Sequence, residues 1–513
     1  MILGYIVSIR VWITDGARRA VRSDTLRGGL KEEVENGKLH FTKQTNRPRQ
    51  RPKELPAMQI VAEAEPHDNV AVLDPALTEL TRALQRAVRA RLRGTNDFAQ
   101  LEATTHELSN EAIRRVLQQE LQQLAAQPDE IEFEGRQLRK HQPGTIRVHS
   151  LVGPIDMERW TYREIGVRNG PTYAPFERAA GLLQRSTPAL AQAIARGYAD
   201  RPSRALHDDL LCAARVPPSR STIERIAVEL GQQVKTAVRR VEPALRRKEK
   251  IPEEARGLTV GLDRTTVPMA ERNDADEVEV HYRMAYVATV TVADGDAKPL
   301  HTRRYAAPAH EGPEQILSRV EADVRHTLRQ RPDLNLAIVQ DGAPEMWNLM
   351  RPALRRSGVK KWIERYDRYH VEQRLAAVLE ALEPDAAKRA VIWNRWRASL
   401  SNDDRAIYRI CAWIGARSWN CSAQARRAIA PHTMYLLMMN KMRYAALKTL
   451  GIPMGSGVTE GACKSLITQR TKRSGQRWRE RGIEAVLALR SIVHSDRWPR
   501  FWRSFAKPLN AIA

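Results

Sequence analysis

Two short apolar runs in this chain each end abruptly in an aspartate. Residues 334–340 (LNLAIVQ) precede Asp341, and residues 257–262 (GLTVGL) precede Asp263. A buried strand that ends in a carboxylate presents it at the carboxyl edge of the sheet, where α/β proteins form their sites. Two such carboxylates brought together outline a divalent-metal site. The alternative is that each aspartate only caps the turn that follows it.

The segments around these runs alternate between strand and helix patterns. Three consecutive strand patterns come first, then helix and strand patterns alternate twice, and a helix follows. The predicted strands are 257–262, 280–292, 300–306, 334–340 and 361–366, and the predicted helices are 313–330, 344–356 and a helix from 371. This order resembles that of an RNase H-like domain. The sequence therefore predicts an α/β fold in which residues 251–384 form the first part of a catalytic domain with a mixed sheet.

The charge of the chain constrains its partners. It has 84 lysines and arginines against 60 aspartates and glutamates, a net charge of +24. Such a surplus predicts a polyanion partner, because each neutralised phosphate releases condensed counterions. No apolar stretch approaches the roughly 20 residues that span a bilayer, so no membrane partner is expected. The cysteines form no Cys-x-x-Cys pair, which disfavours a zinc ribbon or a disulfide framework and favours a cytoplasmic protein; they are Cys212, Cys411, Cys421 and Cys463.

The amino-terminal half divides into several units. Residues 1–68 are expected to be disordered, or to precede the true start of translation. Residues 69–130 carry helical periodicity with a row of arginines, and residues 131–180 read as a small β unit with hairpin turns. In 181–250, two short helix patterns flank Val216-Pro217-Pro218, and the second is predicted to begin at Ser221 and to stop at Gly231.

The two helices in 181–250 are similar to a helix-turn-helix. In such a motif Arg220, Thr222 and Arg225 would lie where a recognition helix meets DNA. The alternative is an ordinary helical hairpin, since many of these mimic the motif. This region and the two units before it are predicted to form a helical and β DNA-binding region ahead of the catalytic domain.

A third carboxylate is predicted at Glu460. It follows the turn Gly455-Ser456-Gly457 and is expected in the first turn of a helix, where the helix dipole alone would also favour an acid. The same helix then becomes strongly basic, which favours contact with DNA phosphates. The predicted contact residues are Lys464, Arg470, Lys472, Arg473, Arg477 and Trp478. Residues 385–454 are predicted to be an all-helical insertion, and 455–513 to complete the catalytic domain.

These motifs together resemble the DDE-type transposases of bacterial insertion sequences, most closely the ISKra-type group. The resemblance is carried by GLDRTTV at 261–267, VQDGAPEMW at 339–347 and GSGVTEGACKSLITQRTKRSGQRW at 455–478. It implies that Asp263, Asp341 and Glu460 bind two Mg²⁺ ions, for which Mn²⁺ is expected to substitute. The long gap between 341 and 460 also fits a family feature, a helical insertion before the catalytic glutamate.

A histidine and two further acids complete the set of candidates. Asp367-Arg368-Tyr369-His370 is similar to an Asp/Cys-x-x-His element found near such sites, so His370 is expected to contact the scissile phosphate or the flanking strand. The alternative is that His370 has no functional role and only satisfies hydrogen bonds at the start of a helix. Glu364 and Glu372 compete with Glu460 as the third ligand, and the glycine-rich, basic context favours Glu460.

The function predicted from the sequence is transposition. The chain is expected to bind the terminal inverted repeats of its own element, to cut them and to join them to a target. Synapsis of two DNA ends implies at least a homodimer. Two alternatives stay open: an RNase H-like DNA nuclease or resolvase, and a catalytically inert DNA-binding protein derived from a transposase.

Overall fold

The computed structural model describes residues 70–92, 97–126 and 128–506. The predicted amino-terminal segment 1–68 lies outside these residues. Two long helices come first, α1 (Val70–Leu92) and α2 (Phe98–Leu124), as the periodicity predicts. Asp97 caps α2, because its side chain accepts a hydrogen bond from Ala99 N at 3.0 Å.

A four-stranded antiparallel sheet follows the two helices. Its strands are β1 (Glu130–Phe133), β2 (Arg136–Ser150), β3 (Gly153–Glu164) and β4 (Thr172–Tyr173), in the order β1-β2-β3-β4. Glu134 and Gly135 join β1 to β2 with positive φ angles of 54° and 75°, as a two-residue hairpin turn requires. The short helix α3 (Pro175–Ala179) ends this small sheet unit.

The helices after this sheet differ from the predicted helix-turn-helix. α4 (Pro188–Asp200) and α5 (Ser203–Cys212) are followed by α6 (Arg220–Lys248), which is capped by Ser219 and runs for 29 residues. The predicted start at Ser221 and stop at Gly231 are therefore wrong. Gly231 lies where α6 crosses a later helix: a Cβ there would be 2.4 Å from the Cβ of Ala485. The glycine permits a close helix crossing and does not end the helix.

The central sheet has five strands in the order β7-β6-β5-β8-β9. The strands are β5 (Gly257–Arg272), β6 (Val278–Ala293), β7 (Pro299–Ala307), β8 (Asn335–Gln340) and β9 (Ile363–Tyr366). β5, β6 and β7 pair antiparallel, and β8 and β9 run parallel to β5. Helices α7 (Glu314–Gln330), α8 (Pro344–Arg356) and α9 (Arg368–Leu382) connect or follow the last strands. The protein is thus of mixed α/β type.

One strand is much longer than its sequence pattern predicts. The apolar run 257–262 was expected to be the whole strand, but β5 continues to Arg272. Asp263 therefore lies within β5 and not at its end. The parallel pairing of β5 with β8 stops at Val260 and Ile338, within the apolar run, and beyond it β5 continues beside β6.

Both faces of this sheet are covered. Even-numbered residues of β5, such as Leu258 and Val260, join the core formed with α7 and α8. Odd-numbered residues further along the sheet, such as Val267 and Val287, join a second core that includes α6 and the carboxy-terminal helices. Strand alternation thus places successive residues of β5 on opposite faces.

The carboxy-terminal third is helical. Helices α10 (Ala386–Asn402), α11 (Ala406–Trp419) and α12 (Ala423–Leu436) occupy the predicted insertion. Then come α13 (Gly457–Ala462), a π-helical segment (Cys463–Thr468), α14 (Gln469–Thr471), α15 (Glu480–Val493) and α16 (Trp498–Phe505). Within the described part of the chain, no helix combines the length and apolar character that a membrane span needs.

Candidate active site

The register of β5 and β8 brings the first two predicted aspartates level with each other. The last parallel pair joins Val260 to Ile338, and each aspartate lies three residues further along its strand direction. Asp341 directly follows β8, as predicted, while Asp263 continues β5 past the point where β8 has ended. The two carboxylates therefore lie at the point where β8 has ended and β5 continues without it.

Asp263 lies in a partly buried, acidic environment. Its Oδ1 accepts a hydrogen bond from Arg264 N at 2.7 Å, and Cys463 Sγ donates to its Oδ2 at 3.3 Å. Burial raises the pKa of Asp263, and the negative charges of Asp341 and Glu460 add to the effect. Burial also raises the pKa of Cys463, so this residue is a protonated thiol that donates a hydrogen bond to the Asp263 carboxylate.

Glu460 reaches the same place from the other side, on the first turn of α13, as predicted. Its Oε1 accepts a hydrogen bond from Ser456 Oγ at 2.9 Å. Ser456 Oγ is also 2.8 Å from Asp367 Oδ2, so its single hydroxyl proton serves one of the two carboxylates at a time, while the Ser456 backbone N–H donates to the same Asp367 oxygen. Asp367 is buried at the start of α9 and accepts from His370 N at 3.0 Å. The Gly-Ser-Gly turn is thus tied to the end of β9.

The close packing of α13 against the sheet fixes the position of Glu460 relative to β5. A Cβ at Gly261 would lie 2.2 Å from Thr459 Oγ1, so only glycine allows α13 this close to β5. The Thr459 hydroxyl is also hydrogen-bonded to Thr289 on β6, at 2.7 Å. Thr459, the residue before Glu460, is therefore anchored to the sheet. Gly261, which permits this close contact, is the first residue of the GLD pattern in the first motif.

His370 lies beside the third carboxylate. Its Nε2 is 3.4 Å from Glu460 Oε1, and its Nδ1 is 3.1 Å from Gln373 Oε1. It is only partly buried. The imidazole is thus placed to orient Glu460, and it lines the cavity that the carboxylates share.

The three carboxylates lack the usual cationic partners. Among the residues described by the structure, no lysine or arginine forms a salt bridge with Asp263, Asp341 or Glu460. The two acids that compete with Glu460 as the third ligand, Glu364 and Glu372, do form such salt bridges. Glu364 pairs with Arg351 at 2.7 Å and Lys441 at 3.1 Å, and Glu372 with Arg368 at 2.7 Å and Arg397 at 3.2 Å. Both are already neutralised by neighbouring residues.

A small cavity joins the candidate residues. It measures about 30 Å³ and is lined by Leu262, Asp263, Gln340, Asp341, His370, Ser456, Thr459 and Glu460. The side chain of Gln340 is buried there, and neither of its polar atoms has a partner in the described structure. Uncompensated carboxylates beside an unsatisfied amide are hard oxygen donors, the ligand set that Mg²⁺ and Mn²⁺ prefer. The residues present therefore fit a divalent metal.

Two other clusters in the described residues place three potential metal ligands within 4.8 Å: Asp367–His370–Glu460 and His310–Glu311–Glu484. In the first, Asp367 is already satisfied by Ser456 and by the backbone of His370. In the second, the Lys235 ammonium contacts both glutamates. Asp263, Asp341 and Glu460 do not form such a group, because their ligand oxygens do not all lie within 4.8 Å of one another.

A larger cavity of about 540 Å³ adjoins the small one. It shares Asp341 and His370 with it and is also lined by Gly342, Ala343, Gln373, Arg374, His432 and Tyr435. His432 and Tyr435 come from α12 of the helical insertion, and Arg374 comes from α9. Arg374 brings a positive charge to a space that borders the acidic site. Sequence reasoning missed Arg374, because nothing in the pattern of α9 shows that α12 covers it.

The predicted DNA-contact residues after Glu460 divide into two groups. Lys464, Lys472, Arg473 and Arg477 are exposed, and Lys472 Nζ donates to Thr266 Oγ1 at 2.8 Å, on the strand of Asp263. The prediction for Arg470 and Trp478 is wrong in this conformation, because both are buried. The Arg470 guanidinium stacks on the rings of Tyr198 and Trp478, at 5.1 and 4.8 Å, and donates to Tyr198 O at 3.3 Å.

The cause of this division is the π-helical segment 463–468. In a regular helix, the four- and three-residue steps from Glu460 to Lys464, Thr468 and Thr471 would place these residues on one face. The wider π turn shifts the register, so that Thr471 is fully buried while Lys464 is exposed. Arg470 is likewise turned into the core. A π segment leaves no clear sequence signal, so this outcome was not predictable from spacing.

The residues predicted to read DNA bases lie elsewhere. Arg220 and Arg225 are exposed on the first turns of α6, and Thr222 is half-buried, with its hydroxyl 3.0 Å from Ser219 Oγ. None of the three lines the cavities at the carboxylates. The structure therefore brings together Asp263, Asp341, Glu460 and His370, but not the α6 residues.

Comparison with known proteins gives little. No protein-family model matches the chain, and no curated protein does. Among solved structures, the chain matches the Drosophila P element transposase strand transfer complex at 12% identity and a TM-score of 0.22, over 63% of this chain and 81% of that chain. A similarity of this size supports no conclusion about function.

Proposed function

We propose that this protein is a DDE-type transposase that cleaves the ends of its own element and joins them to target DNA. The observation that carries the proposal is the convergence of Asp263, Asp341 and Glu460 on one cavity, where no lysine or arginine of the described residues forms a salt bridge with them. Carboxylates that lie close together without cationic side chains are typical of sites that bind a metal ion or that shift the pKa of a catalytic group. The basic character of the chain makes a DNA phosphate the natural substrate.

The proposed ligands of two Mg²⁺ ions are Asp263, Asp341 and Glu460, and Mn²⁺ is expected to substitute. When bound, such ions lower the pKa of an attacking water or 3′-hydroxyl and neutralise the charge that develops on the phosphate. Ser456 Oγ holds Glu460 by a hydrogen bond to Oε1, and Asp367 fixes Ser456 through the backbone N–H of Ser456. The Cys463 thiol orients Asp263 in the same way. These partners preorganise the carboxylates before substrate arrives.

Cationic and polar groups around the carboxylates are proposed to hold the DNA. His370 faces both cavities and is positioned to contact the scissile phosphate. Arg374 borders the larger cavity, and Lys472 lies beside the strand that carries Asp263. Together they place positive charge around an acidic centre, so that the backbone of a bound strand is attracted while the reacting phosphate meets the metal ligands.

The arrangement of strands supports the same proposal. In the order β7-β6-β5-β8-β9, the first three strands are antiparallel and the last two are parallel to β5. This is the order expected for an RNase H-like catalytic domain, with α10 to α12 as its helical insertion. The proposed DNA partners are the terminal inverted repeats and the target, contacted by exposed Lys464, Lys472, Arg473 and Arg477, and by Arg220 and Arg225 of α6.

The test uses the full chain and a duplex that carries the inverted repeat next to its gene. Asp263→Asn, Asp341→Asn and Glu460→Gln are each expected to abolish Mg²⁺-dependent cleavage and joining while leaving duplex binding intact in a mobility-shift assay. Glu372→Gln serves as the control, since this acid is paired with Arg368 and Arg397. Near wild-type cleavage by any of the first three variants would remove that residue from the proposed site.

The same assay separates the alternatives. An RNase H-like nuclease or resolvase would release cut DNA without covalently joining a 3′ end to a second duplex. An inert DNA-binding protein would do neither. The full set of three carboxylates at one cavity favours a catalyst over an inert protein, because a protein that only binds DNA has no need to keep all three metal ligands there.

A further inference from the structure

Strands β5 and β6 extend beyond the rest of the central sheet. β7 pairs with β6 only from Tyr286 onwards, where Tyr286 is opposite Ala307. β5 and β6 continue to pair with each other as far as Arg272 and Val278. Residues 267–284 therefore form a ribbon of these two strands, here named the β5–β6 arm, whose β5 edge is hydrogen-bonded to the backbone of Trp478. No other strand in the described structure pairs with the segment 278–284 of β6.

The outer edge of this arm carries free backbone groups. At the tip, Asn273 N donates to Glu277 O at 2.9 Å, which makes this pair a hydrogen-bonded one. Because hydrogen-bonded and non-hydrogen-bonded pairs alternate, odd-numbered residues of β6 bond to β5. The N–H and C=O groups of Val278, Val280, Tyr282 and Met284 therefore point to the open edge. An open edge of this kind is a template for another strand.

The same four residues form an exposed apolar row. Val278, Val280, Tyr282 and Met284 are 45%, 42%, 67% and 41% exposed, and their even numbering places them on one face. A row of large apolar side chains on a protruding ribbon gains free energy when a partner covers it. One partner strand would bind the free backbone edge and cover the apolar row at the same time.

The charge of the arm argues against DNA as that partner. Residues 271–283 include five acidic residues and two arginines, a net charge of −3 in a chain whose net charge is +24. Phosphates would be repelled by this segment. A second copy of the arm has the same net charge, so pairing between two arms depends on the apolar row and on residues of opposite charge that face each other.

We infer that the β5–β6 arm pairs with the same arm of a second copy of this chain, strand β6 against strand β6, antiparallel about a two-fold axis at His281. In this register Val280 is opposite Tyr282 of the second copy, and Val278 is opposite Met284. Glu279 is opposite Arg283. The pairing is self-complementary in its apolar row and in its charges, as an isologous interface must be.

The boundaries of the free edge select this register. The unpaired segment 278–284 is centred on residue 281, so an axis at His281 uses all of it. An axis one residue further along would require an outer partner for Tyr286, which already pairs with Ala307. An axis one residue earlier would bring Asp276 into the ladder, and its φ of +62° is not that of a strand.

The arm also contains a like-charge pair that this interface relieves. Glu271 and Glu279 are directly opposite each other in the β5–β6 ladder, which is unfavourable within one copy. Arg283 already binds Glu271, with Nη2 to Oε2 at 2.6 Å. In the dimer, Arg283 of the second copy lies opposite Glu279. Each arginine then lies beside Glu271 of its own copy and Glu279 of the other, so Glu279 gains a cationic neighbour. This interface stands independently of the proposed catalytic function.

The register is tested by cross-linking the full chain. In a Cys212→Ser background, which removes the exposed cysteine, His281→Cys is treated with a thiol oxidant. Residue 281 forms a non-hydrogen-bonded pair with itself across the axis, and the Cα separation of about 4.5 Å at such a pair allows a disulfide. We expect a covalent dimer. Tyr282→Cys is the matched control, since its copies lie about 7 Å apart on the diagonal and should cross-link poorly.

Charge reversal gives a second, independent test. Glu279→Arg alone and Arg283→Glu alone each place two like-charge pairs in the interface, and each should weaken the dimer by roughly tenfold in sedimentation equilibrium. An equimolar mixture of the two variants restores opposite charges at both pairs and should recover the dimer. Both residues are exposed, so thermal unfolding should be little changed.

Three outcomes would overturn the inference. The first is a wild-type chain that is monomeric at micromolar concentration, with no His281→Cys cross-link. The second is equal cross-linking of His281→Cys and Tyr282→Cys, which would indicate random collision. The third is a mixture of the charge variants that dimerises no better than either variant alone.

Discussion

Replacing Asp263 by asparagine is expected to change stability in opposite directions with and without metal. In the metal-free protein the Asp263 carboxylate is partly buried near Asp341 and Glu460, and burial followed by these charges raises its pKa. An ionised group whose pKa is raised by folding destabilises the folded state. Asparagine has the same shape and no charge. Asp263→Asn should therefore be more stable than wild type when metal is absent.

The size of the effect follows from the linkage between pKa and stability. Each unit of pKa difference between folded and unfolded states corresponds to about 1.4 kcal/mol. We expect a gain of on the order of 1 kcal/mol at pH 7, since Asp263 is partly exposed and two hydrogen bonds offset the shift. The gain should vanish below about pH 4, where the carboxyl group is protonated in both states, and appear as pH rises through the folded pKa.

Saturating Mg²⁺ should reverse the order. A ligand at 100 times its dissociation constant stabilises the folded state by about 2.7 kcal/mol. Wild type should gain this amount, whereas Asp263→Asn lacks one of the three proposed ligands and should gain much less. The metal-loaded wild type is then the more stable protein, although the metal-free wild type is the less stable one.

Scanning calorimetry of both proteins with EDTA and with Mg²⁺ measures all four states. Glu364→Gln is the control, because its carboxylate is neutralised by Arg351 and Lys441 and its loss leaves these cations unpaired. That variant should be less stable than wild type under both conditions. An equal rise of the unfolding temperature with Mg²⁺ in wild type and Asp263→Asn would refute the assignment of Asp263 as a ligand.

Three further predictions concern residues away from the carboxylates. Neutralising Lys472 and Arg473 together should reduce the slope of log affinity against log salt by roughly 2 in DNA-binding titrations, and an unchanged slope would show that they contact no phosphate. Arg470→Met should leave that slope unchanged and lower the unfolding temperature, because Arg470 is buried against Tyr198. Gly231→Ala should destabilise the fold by about 1–2 kcal/mol in denaturant unfolding, since overpacking against α15 exceeds the gain in helix propensity; a stabilised variant would contradict the close crossing.

The sequence predicted the parts of the site that depend on local pattern. Asp341 follows a buried strand of ordinary length, and Glu460 follows a glycine turn that begins a helix; both signals are local, and both residues lie where the pattern places them. The succession of strands in the central sheet was also predictable, since each strand is an apolar run between turn residues. These features need no knowledge of what packs against them.

The parts that failed depend on packing between distant segments. β5 was predicted too short because polar and partly exposed residues follow Leu262, although the strand continues beside β6 and contacts the backbone of Trp478, far along the chain. Gly231 was interpreted as a helix stop, although Ala485, far along the chain, is the reason for a glycine there. The basic strip after Glu460 gave no indication that a π-helical segment would turn Arg470 into the core.

The central claim is that three carboxylates form a divalent-metal site, and a crystal soaked in Mn²⁺ tests it most directly. Anomalous scattering locates Mn²⁺ without reference to activity. We expect density between Asp263, Asp341 and Glu460, and its loss in the Asp341→Asn protein. Density confined to Asp367–His370–Glu460 or to His310–Glu311–Glu484, or no density at any of these residues, would contradict the account.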